Sequence, residues 1–474
     1  MRPLWAPLEI ADATGASFHG MPADVTGLSI DTRTLKPGDL FVALKDVRDG
    51  HEFVPAALAA GAAGALVARD KLAGLEGCKP LHVVDAVLPA LEQLGLAARA
   101  RMAGKVLAVT GSVGKTSTKE MLRVVFERQG RTHASVASYN NHWGVPLTLA
   151  RMPADTDFGI FEIGMNHAFE ILPLSAMVRP HAAIVTTVEP VHLAQFAGIE
   201  AIADAKGEIF SGLLPEGVAI LNRDNPQFSR LKAHAAASAA GRIVTFGAHA
   251  EADVRLIKVH GTADNSHVEA DVLGVPLTYR IGAPGRHLVQ NSLAMLAAVH
   301  VFGADLALAG LSLAEFSATD GRGKRLSLRV GEGTLTLIDE SYNANPASMR
   351  AAFSVAGTAP LGRRGRRIAV LGDMLELGAA APGLHAGLAE AVVEAGIDLV
   401  FAAGPAMKHL IDALPESHRG GYAADSAALE AHVLDAVRAG DVVTVKGSNG
   451  SRMMRIVAAL KARYPVIPDA GTDL

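Results

Sequence analysis

Short runs of β-branched and leucine residues alternate with longer, alanine-rich segments along almost the whole of this chain. Runs of the first kind occupy residues 40–44, 106–110, 182–187 and 368–371. This alternation is typical of parallel β-sheets whose strands are joined by covering helices. The chain is therefore predicted to fold as an α/β protein throughout.

The length of 474 residues suggests roughly three domains at about 150 residues each. A new strand at residues 106–110 follows a predicted helix, and two glycines among charged residues at 319–325 indicate a linker. We predict a small N-terminal α/β domain over residues 1–102, a central parallel-sheet domain over 103–320 and a doubly wound, Rossmann-like domain over 321–474.

Composition excludes several classes of protein. The net charge of -4 argues against a nucleic-acid scaffold, and the single thiol, Cys78, forms no intramolecular disulfide, as suits a reducing compartment. The N-terminus shows no apolar signal segment, and the longest charge-free apolar stretch, residues 53–68, is shorter than the roughly 20 residues that span a bilayer. We expect a cytoplasmic monomer without membrane insertion.

The strongest local motif lies at residues 106–117, Val-Leu-Ala-Val-Thr-Gly-Ser-Val-Gly-Lys-Thr-Ser, ahead of an amphipathic segment. Strand, glycine-rich turn and helix follow one another as in a P-loop, whose backbone N–H groups and lysine meet phosphates. Val109 replaces the first glycine of the longer motif, and an ordinary turn with a surface lysine is the alternative. The predicted ATP- or GTP-binding residues, with Thr116 also on Mg²⁺, are Gly111, Ser112, Val113, Gly114, Lys115, Thr116 and Ser117.

A P-loop alone does not define an activity, because switches, transporters, kinases and ligases all contain one. Glu162, at the end of a strand-like run, is an acidic residue placed for metal binding. Further polar strings adjoin other predicted elements, at residues 140–146, 162–167, 205–209, 285–291 and 339–346.

Together with the P-loop, these strings resemble the Mur ligases from about residue 29 to residue 446, and among them most the type that adds D-Ala-D-Ala. The resemblance implies an ATP-dependent amide ligase whose N-terminal domain binds a UDP-sugar and whose C-terminal domain brings the amino compound. It further implies that ATP phosphorylates the terminal carboxylate of UDP-MurNAc-tripeptide, and that the amine of D-Ala-D-Ala attacks the acyl phosphate during peptidoglycan synthesis.

The resemblance also implies roles for individual residues. Lys115 and the linker residue Arg322 would stabilise the transferring phosphoryl group, and Lys206 would carry a carbamate that turns it into a metal ligand. His287 would lie near the reacting groups. The resemblance implies two Mg²⁺ ions, and the metal set is Thr116, Glu162, His192 and Lys206.

Nucleotide and substrate contacts are carried over in the same way. Those predicted for the nucleotide, besides the P-loop, are Asn291, Arg322, Asp339, Tyr342 and Asn345. For Asp339 and the string at residues 342–346, an Asx-type turn is the alternative explanation. Those predicted for the substrates are Ser29, Asp31, Thr32, Arg33, Asn140, Asn141, Asn343 and Lys446. Glu340 stands where the family commonly has an aspartate, so its carboxylate reaches further.

Three alternatives stay open. A Mur ligase that adds the third peptide residue should carry an Asp-Asn-Pro-Arg string, which we do not find, and a folylpolyglutamate synthase would have no use for a uridine-nucleotide domain. A nucleotide-gated P-loop protein without ligase chemistry should lack Glu162, His192 and Lys206. The sequence does not show whether the tripeptide ends in diaminopimelate or lysine.

Overall fold

The computed structural model describes residues 3–136 and 138–467. Within these residues the chain forms three β-sheets, each covered by helices, as the alternation of strand-like and helical segments predicts. None of the helices in these two ranges is long and apolar enough to cross a membrane.

The first sheet has the strand order β1-β5-β4-β3-β2 and is parallel except for the pairing of β1 with β5. Its strands are β1 (Ser17–His19), β2 (Gly27–Ser29), β3 (Asp39–Val42), β4 (Gly64–Ala68) and β5 (Leu81–Val84). Its helices are α1 (Pro7–Thr14), α2 (Val54–Ala59) and α3 (Val87–Arg101).

The central sheet has the order β14-β13-β12-β11-β10-β9-β6-β8-β7. Its strands are β6 (Lys105–Thr110), β7 (Thr132–Ala134), β8 (Phe158–Glu162), β9 (Ala182–Val185), β10 (Gly217–Asn222), β11 (Ala240–Gly247), β12 (Val254–Gly261), β13 (Ser266–Val272) and β14 (Val275–Ile281). Its helices are α4 (Lys115–Glu127), α5 (Gly144–Ala150), α6 (Ile171–Val178), α7 (Ile199–Gly207), α8 (Phe228–Ala236), α9 (Arg286–Val301) and α10 (Leu306–Leu313).

Strand β6 is buried on both faces, which explains its unbroken apolar sequence. Leu107 and Val109 pack on one side of the sheet, and Val106 and Ala108 pack on the other. Because β8 and β9 flank β6 on opposite sides, the strand order reverses at β6. A crevice at the carboxyl ends of the strands is expected at such a point, and the P-loop follows β6 there.

Strand β7 and one edge of this sheet are missing from the sequence prediction. Strands β7 to β12 and β6 run parallel, but β12, β13 and β14 form an antiparallel edge, and none of these three strands is predicted. The central sheet is therefore mixed.

The third sheet has the order β19-β18-β17-β20-β16-β15-β21 and is parallel from β19 to β16. Its strands are β15 (Lys324–Val330), β16 (Gly333–Glu340), β17 (Arg367–Gly372), β18 (Leu399–Ala403), β19 (Arg419–Ala423), β20 (Val442–Lys446) and β21 (Val466–Ile467). Its helices are α11 (Pro346–Thr358), α12 (Ala381–Ala386), α13 (Ala389–Glu394), α14 (Met407–Ala413), α15 (Ser426–Ala436) and α16 (Met454–Arg463). The domain boundaries at 102/103 and 320/321 stay predictions.

Candidate active site

The P-loop has the backbone that its glycines allow. Gly111 has a φ of 148° and Gly114 a φ of 86°, and α4 begins immediately afterwards at Lys115. A Cβ on Gly111 would lie 2.0 Å from Thr186 Oγ1, and one on Gly114 would lie 2.7 Å from Asn291 Oδ1. Both positions therefore require glycine, for conformation and for space.

The Lys115 ammonium is held over the loop, where its Nζ donates to the Gly111 carbonyl at 2.8 Å. Burial lowers the pKa of Lys115, the carboxylate of Glu162 opposes that shift, and the charge of Arg322 adds to it. A phosphate would offset this unfavourable burial of positive charge, because it supplies anionic acceptors at the same place.

Glu162, at the end of β8, brings two predicted site residues together. Its Oε2 accepts from the Thr116 hydroxyl at 2.9 Å, and its Oε1 accepts from Asn140 Nδ2 at 2.7 Å. The Glu162 side chain is buried, with 1% of its surface exposed. A hydroxyl beside a carboxylate is the type of oxygen ligand set that Mg²⁺ prefers, so this pair fits the predicted metal.

Lys206, on α7, is 1% exposed and has no hydrogen-bond or ion-pair partner among residues 3–136 and 138–467. Burial lowers the pKa of Lys206 well below its ordinary value, and the charge of Lys115 adds to this effect. The carboxylates of Glu208, Glu162 and Glu170 oppose the shift, and its net direction favours the neutral amine, the form that reacts with carbon dioxide. This observation fits the predicted carbamate.

His192 faces the third sheet rather than Glu162. Its Nδ1 contacts Glu376 Oε2, and the Ala194 backbone N–H donates to the Glu376 carbonyl at 3.2 Å. In the described part of the chain, no three His, Cys, Asp or Glu side chains converge in a way that would hold a metal ion. The role of His192 as a metal ligand stays a prediction.

One cleft of about 1010 Å³ brings most of the predicted residues together. Those lining it are Ser112, Val113, Gly114, Lys115, Thr116, Ser117, Asn140, Asn141, Glu162, His192, His287, Asn291, Arg322, Tyr342, Asn343, Asn345 and Lys446. Predicted residues outside the lining are Ser29, Asp31, Thr32, Arg33, Gly111, Lys206 and Asp339. The cleft thus combines the P-loop edge of the central sheet with the third sheet.

Arg322 reaches back to the central sheet from the predicted linker. Its guanidinium lies over the Tyr342 ring at 4.3 Å from the centroid, and its Nη2 donates to Ser138 Oγ at 3.2 Å. On the same side of the cleft, Lys446 Nζ donates at 3.0 Å both to Glu340 Oε2 and to the Asn343 carbonyl. The longer reach of Glu340 is thus used in an ion pair.

Two predicted nucleotide contacts have local structural roles. The Asp339 carboxylate accepts from the Gly321 N–H at 3.0 Å and from the Ser341 hydroxyl at 2.6 Å, so it ties the linker to the end of β16. Asn345 Oδ1 accepts from the Ser348 N–H at 2.9 Å and caps α11. The string around Asn345 therefore has a structural role as a helix cap, and its contact with a nucleotide stays a prediction.

Two residues of α9 enter the cleft from behind the P-loop. Asn291 is 7% exposed, and its Nδ2 has no hydrogen-bond partner within the described residues. A buried donor of this kind requires an acceptor, which a bound nucleotide can supply. Burial lowers the pKa of His287, an effect that nearby Glu340 opposes and Lys446 assists, so the surroundings favour the neutral imidazole.

The predicted uridine-nucleotide residues lie outside the cleft, at the end of β2 and in the turn that follows it, where Ser29 is buried and Arg33 is exposed. The Arg33 guanidinium forks onto the Asp31 carboxylate, with Nε–Oδ1 at 2.9 Å and Nη2–Oδ2 at 2.6 Å. Ser29 Oγ donates to the Asp31 carbonyl at 2.9 Å and shapes the turn, while the Thr32 side chain is partly exposed there.

Polar residues at the end of β10 and in the turn after it also line the cleft, and they are absent from the predicted site residues. Asn222, Asp224 and Asn225 line the cleft, and Asn225 Nδ2 donates to Thr187 Oγ1 at 2.8 Å and to the Val188 carbonyl at 3.0 Å. The signal was present, because residues 222–226 read Asn-Arg-Asp-Asn-Pro immediately after a predicted strand.

Comparison with known proteins decides the family. The model described as Mur ligase middle domain matches residues 109–299, and the one described as Mur ligase, glutamate ligase domain matches residues 324–449. The UDP-N-acetylmuramoyl-tripeptide-D-alanyl-D-alanine ligase of Escherichia coli (strain K12) is 34% identical over 456 residues, which are 96% of this chain and 97% of that protein. The chain belongs to the Mur ligase family.

Solved structures agree with this assignment. The UDP-N-acetylmuramoylalanyl-D-glutamyl-2,6-diaminopimelate-D-alanyl-D-alanyl ligase of Acinetobacter baumannii is similar to this Mur ligase with a TM-score of 0.81 and 28% identity, over 97% of this chain and 98% of that one. MurF of Thermotoga maritima, solved in complex with ADP, shares the fold with a TM-score of 0.75 and 23% identity, over 92% and 98% of the two chains. Within the family, the chain belongs with the D-alanyl-D-alanine ligases. The family resemblance and the fold class predicted from the sequence are confirmed.

Proposed function

We propose that this Mur ligase joins D-Ala-D-Ala to UDP-MurNAc-tripeptide at the expense of ATP, through an acyl phosphate, in peptidoglycan synthesis. The observation that carries the proposal is a single cleft in which the P-loop and the Thr116–Glu162 pair face Arg322 and Lys446. The name of the E. coli relative supplies the substrates. The P-loop supplies the reason for using a nucleoside triphosphate.

ATP is held by its phosphates. Backbone N–H groups between Gly111 and Ser117 and the positive end of α4 meet the phosphate chain, and Lys115 turns from the Gly111 carbonyl to the outer phosphates. Asn291 Nδ2, unpaired in the described residues, donates to the nucleotide. The ADP bound to T. maritima MurF supports the choice of an adenine nucleotide.

Magnesium fits the oxygen ligands already described. Thr116 and Glu162 would hold one ion, and His192 with a carboxylated Lys206 would hold a second. When bound, Mg²⁺ supplies positive charge that stabilises the phosphoryl group in transfer. The lowered pKa of Lys206 favours its neutral amine, which would add to carbon dioxide and lose a proton to give an N-carboxylate, where a free ammonium would repel the metal.

The chain's own groups then perform two displacements. An oxygen of the tripeptide carboxylate attacks the γ-phosphorus and ADP leaves, while Lys115 and Arg322 stabilise the charge on the transferring group. The free amine of D-Ala-D-Ala attacks the acyl carbon, the new C–N bond forms and inorganic phosphate leaves. His287, neutral in the cleft, can accept the proton that the amine loses.

Phosphate release tests the overall reaction. With ATP and Mg²⁺, the protein should release phosphate only when UDP-MurNAc-tripeptide and D-Ala-D-Ala are both present. Equal release with either one omitted would contradict the ligase proposal.

The carbamate is tested at Lys206. Lys206→Ala should lose nearly all activity, regain part of it with added acetate, and lose a carbamate carbon signal seen by NMR after labelling with ¹³CO₂. Lys461→Ala, at an exposed lysine on α16, is the matched control and should change neither property. Full activity of Lys206→Ala without acetate would refute the role.

A further inference from the structure

One end of the cleft is formed by the N-terminal part of the chain. Glu92, on α3, lines the cleft, and no other residue from 3 to 104 does so. The lining therefore extends from the third sheet, past the P-loop, to a helix that packs beside the first sheet. A substrate that spans these parts comes near Glu92.

Arg99 shows which way the Glu92 side of α3 faces, because it lies seven residues, or about two turns, after Glu92 on the same helix. Arg99 Nε donates to the Val178 carbonyl at 2.7 Å, and its Nη2 donates to the Arg179 carbonyl at 2.8 Å, at the end of α6. Residues seven apart share a helix face, so Glu92 also faces α6. Pro173, Leu174 and Met177 of α6 line the cleft there.

Glu92 differs from the other acidic residues of the cleft in having no partner. Within residues 3–136 and 138–467, no hydrogen bond or ion pair reaches its carboxylate, whereas each other acidic side chain of the lining accepts at least one. Those other residues are Glu162, Glu170, Glu189, Asp224 and Glu340. A free carboxylate beside an apolar wall suits a cation on an aliphatic stem, because the stem packs on the wall while the charges pair.

The donor substrate has one group of that kind. Its alanine amine is acylated and its second residue is glutamate, so its only cation is the side-chain ammonium of a diamino acid in third place. The name of the A. baumannii relative gives that residue as 2,6-diaminopimelate. The same residue bears the carboxylate to be activated, and its side chain therefore lies in the cleft that holds the P-loop.

We propose that Glu92 binds the side-chain ammonium of the third residue of the donor peptide and so determines specificity for a diamino acid at that position. This inference rests on the proposed ligase function. The role is in binding and selection, and the transfer of the phosphoryl group does not involve Glu92.

The test compares substrates that differ only in this ammonium. UDP-MurNAc-tripeptides ending in diaminopimelate and in 2-aminopimelate are assayed with the wild type, Glu92→Gln and Glu92→Lys, and a lysine and norleucine pair is assayed in parallel. Glu76→Gln, at an exposed glutamate in the N-terminal part, is the matched control. Thermal unfolding verifies that each variant is folded.

The wild type and Glu76→Gln should prefer the ammonium-bearing substrate by about tenfold or more in kcat/KM, the range expected of a charge-assisted hydrogen bond. Glu92→Gln should lose the preference through a higher KM for the donor, with KM for ATP and for D-Ala-D-Ala unchanged. Glu92→Lys should favour the substrate without the ammonium.

Two results would overturn the inference while leaving the ligase function intact. One is a folded Glu92→Gln variant that retains the wild-type preference. The other is a variant whose KM rises for D-Ala-D-Ala alone, which would assign Glu92 to the incoming amine. Absence of any turnover by the wild type would instead refute the proposed function, and with it the inference.

Discussion

Acid should destabilise the first sheet through His82, in the middle of β5. This side chain is 0% exposed, lies edge-on to Phe18 with 5.3 Å between ring centroids, and has no hydrogen-bond partner for either ring nitrogen in the described residues. Burial lowers the pKa of His82 from 6.5 to about 4. The folded protein therefore holds the imidazole neutral at a pH where the unfolded chain is already protonated.

The sign and size of the effect follow from linkage. The pKa of His82 is lower in the folded state than in the unfolded chain, so protonation favours unfolding. The free energy of unfolding is therefore highest above pH 6.5 and decreases as the pH falls towards 4. A difference of about 2.5 pH units at 1.36 kcal/mol per unit corresponds to roughly 3 kcal/mol. That is about a hundredfold in the equilibrium between closed and open forms of the sheet.

Hydrogen exchange of the amides in β4 and β5, corrected for the intrinsic pH dependence of exchange, measures this loss locally. The wild type should lose most of the hundredfold protection between pH 6.5 and 4, whereas His82→Leu should lose little of it. His19→Leu, at an exposed histidine on β1, is the control and should behave as the wild type does. A His82→Leu variant that loses protection as steeply as the wild type would refute the argument.

Three further variants address the cleft. Gly114→Ala places a Cβ 2.7 Å from Asn291 Oδ1, at a residue whose φ is 86°. A left-handed backbone alone costs an alanine about 1–2 kcal/mol. KM for ATP should therefore rise at least tenfold in steady-state assays. Lys115→Met should abolish turnover. It should not lower the midpoint of thermal unfolding, because burial disfavours the Lys115 ammonium in the ligand-free protein. A lower midpoint would show that this ammonium stabilises the ligand-free fold. Glu376→Ala removes the partner of His192, a contact that joins the central and C-terminal parts of the chain. Small-angle scattering of the ligand-free variant should therefore show a larger radius of gyration. An unchanged curve would mean that the contact does not hold these parts together.

Elements with a strong local signal were predicted closely. The strand predicted at 106–110 is β6, Lys105–Thr110, because a strand buried on both faces has a nearly continuous apolar sequence. The strand predicted at 81–84 is β5, Leu81–Val84, which is apolar except for His82. Strands β12 to β14 were missed between residues 254 and 281. In β13 buried and exposed residues alternate, and many side chains of β12 and β14 face solvent, so no apolar run marks this edge.

The candidate site also contains residues that local sequence predicts and contacts that it does not. The P-loop was predictable because its turn and helix are specified by adjacent residues. Asn222 and Asn225 could have been predicted from a polar string after a strand, but the string was overlooked. The contact of His192 with Glu376 joins residues 184 positions apart, and no local rule specifies it.

The sequence by itself determined the α/β class, the phosphate loop and the family, since each depends on residues that are neighbours in the chain. Only the tertiary structure decided which of those residues meet. It placed Thr116, Asn140 and Glu162 within hydrogen-bonding distance, left Lys206 buried without a partner, and brought Glu92 to the far end of the cleft. The physical reason is that burial and charge pairing depend on how strands, loops and helices pack together, and such packing joins side chains that are far apart in the chain.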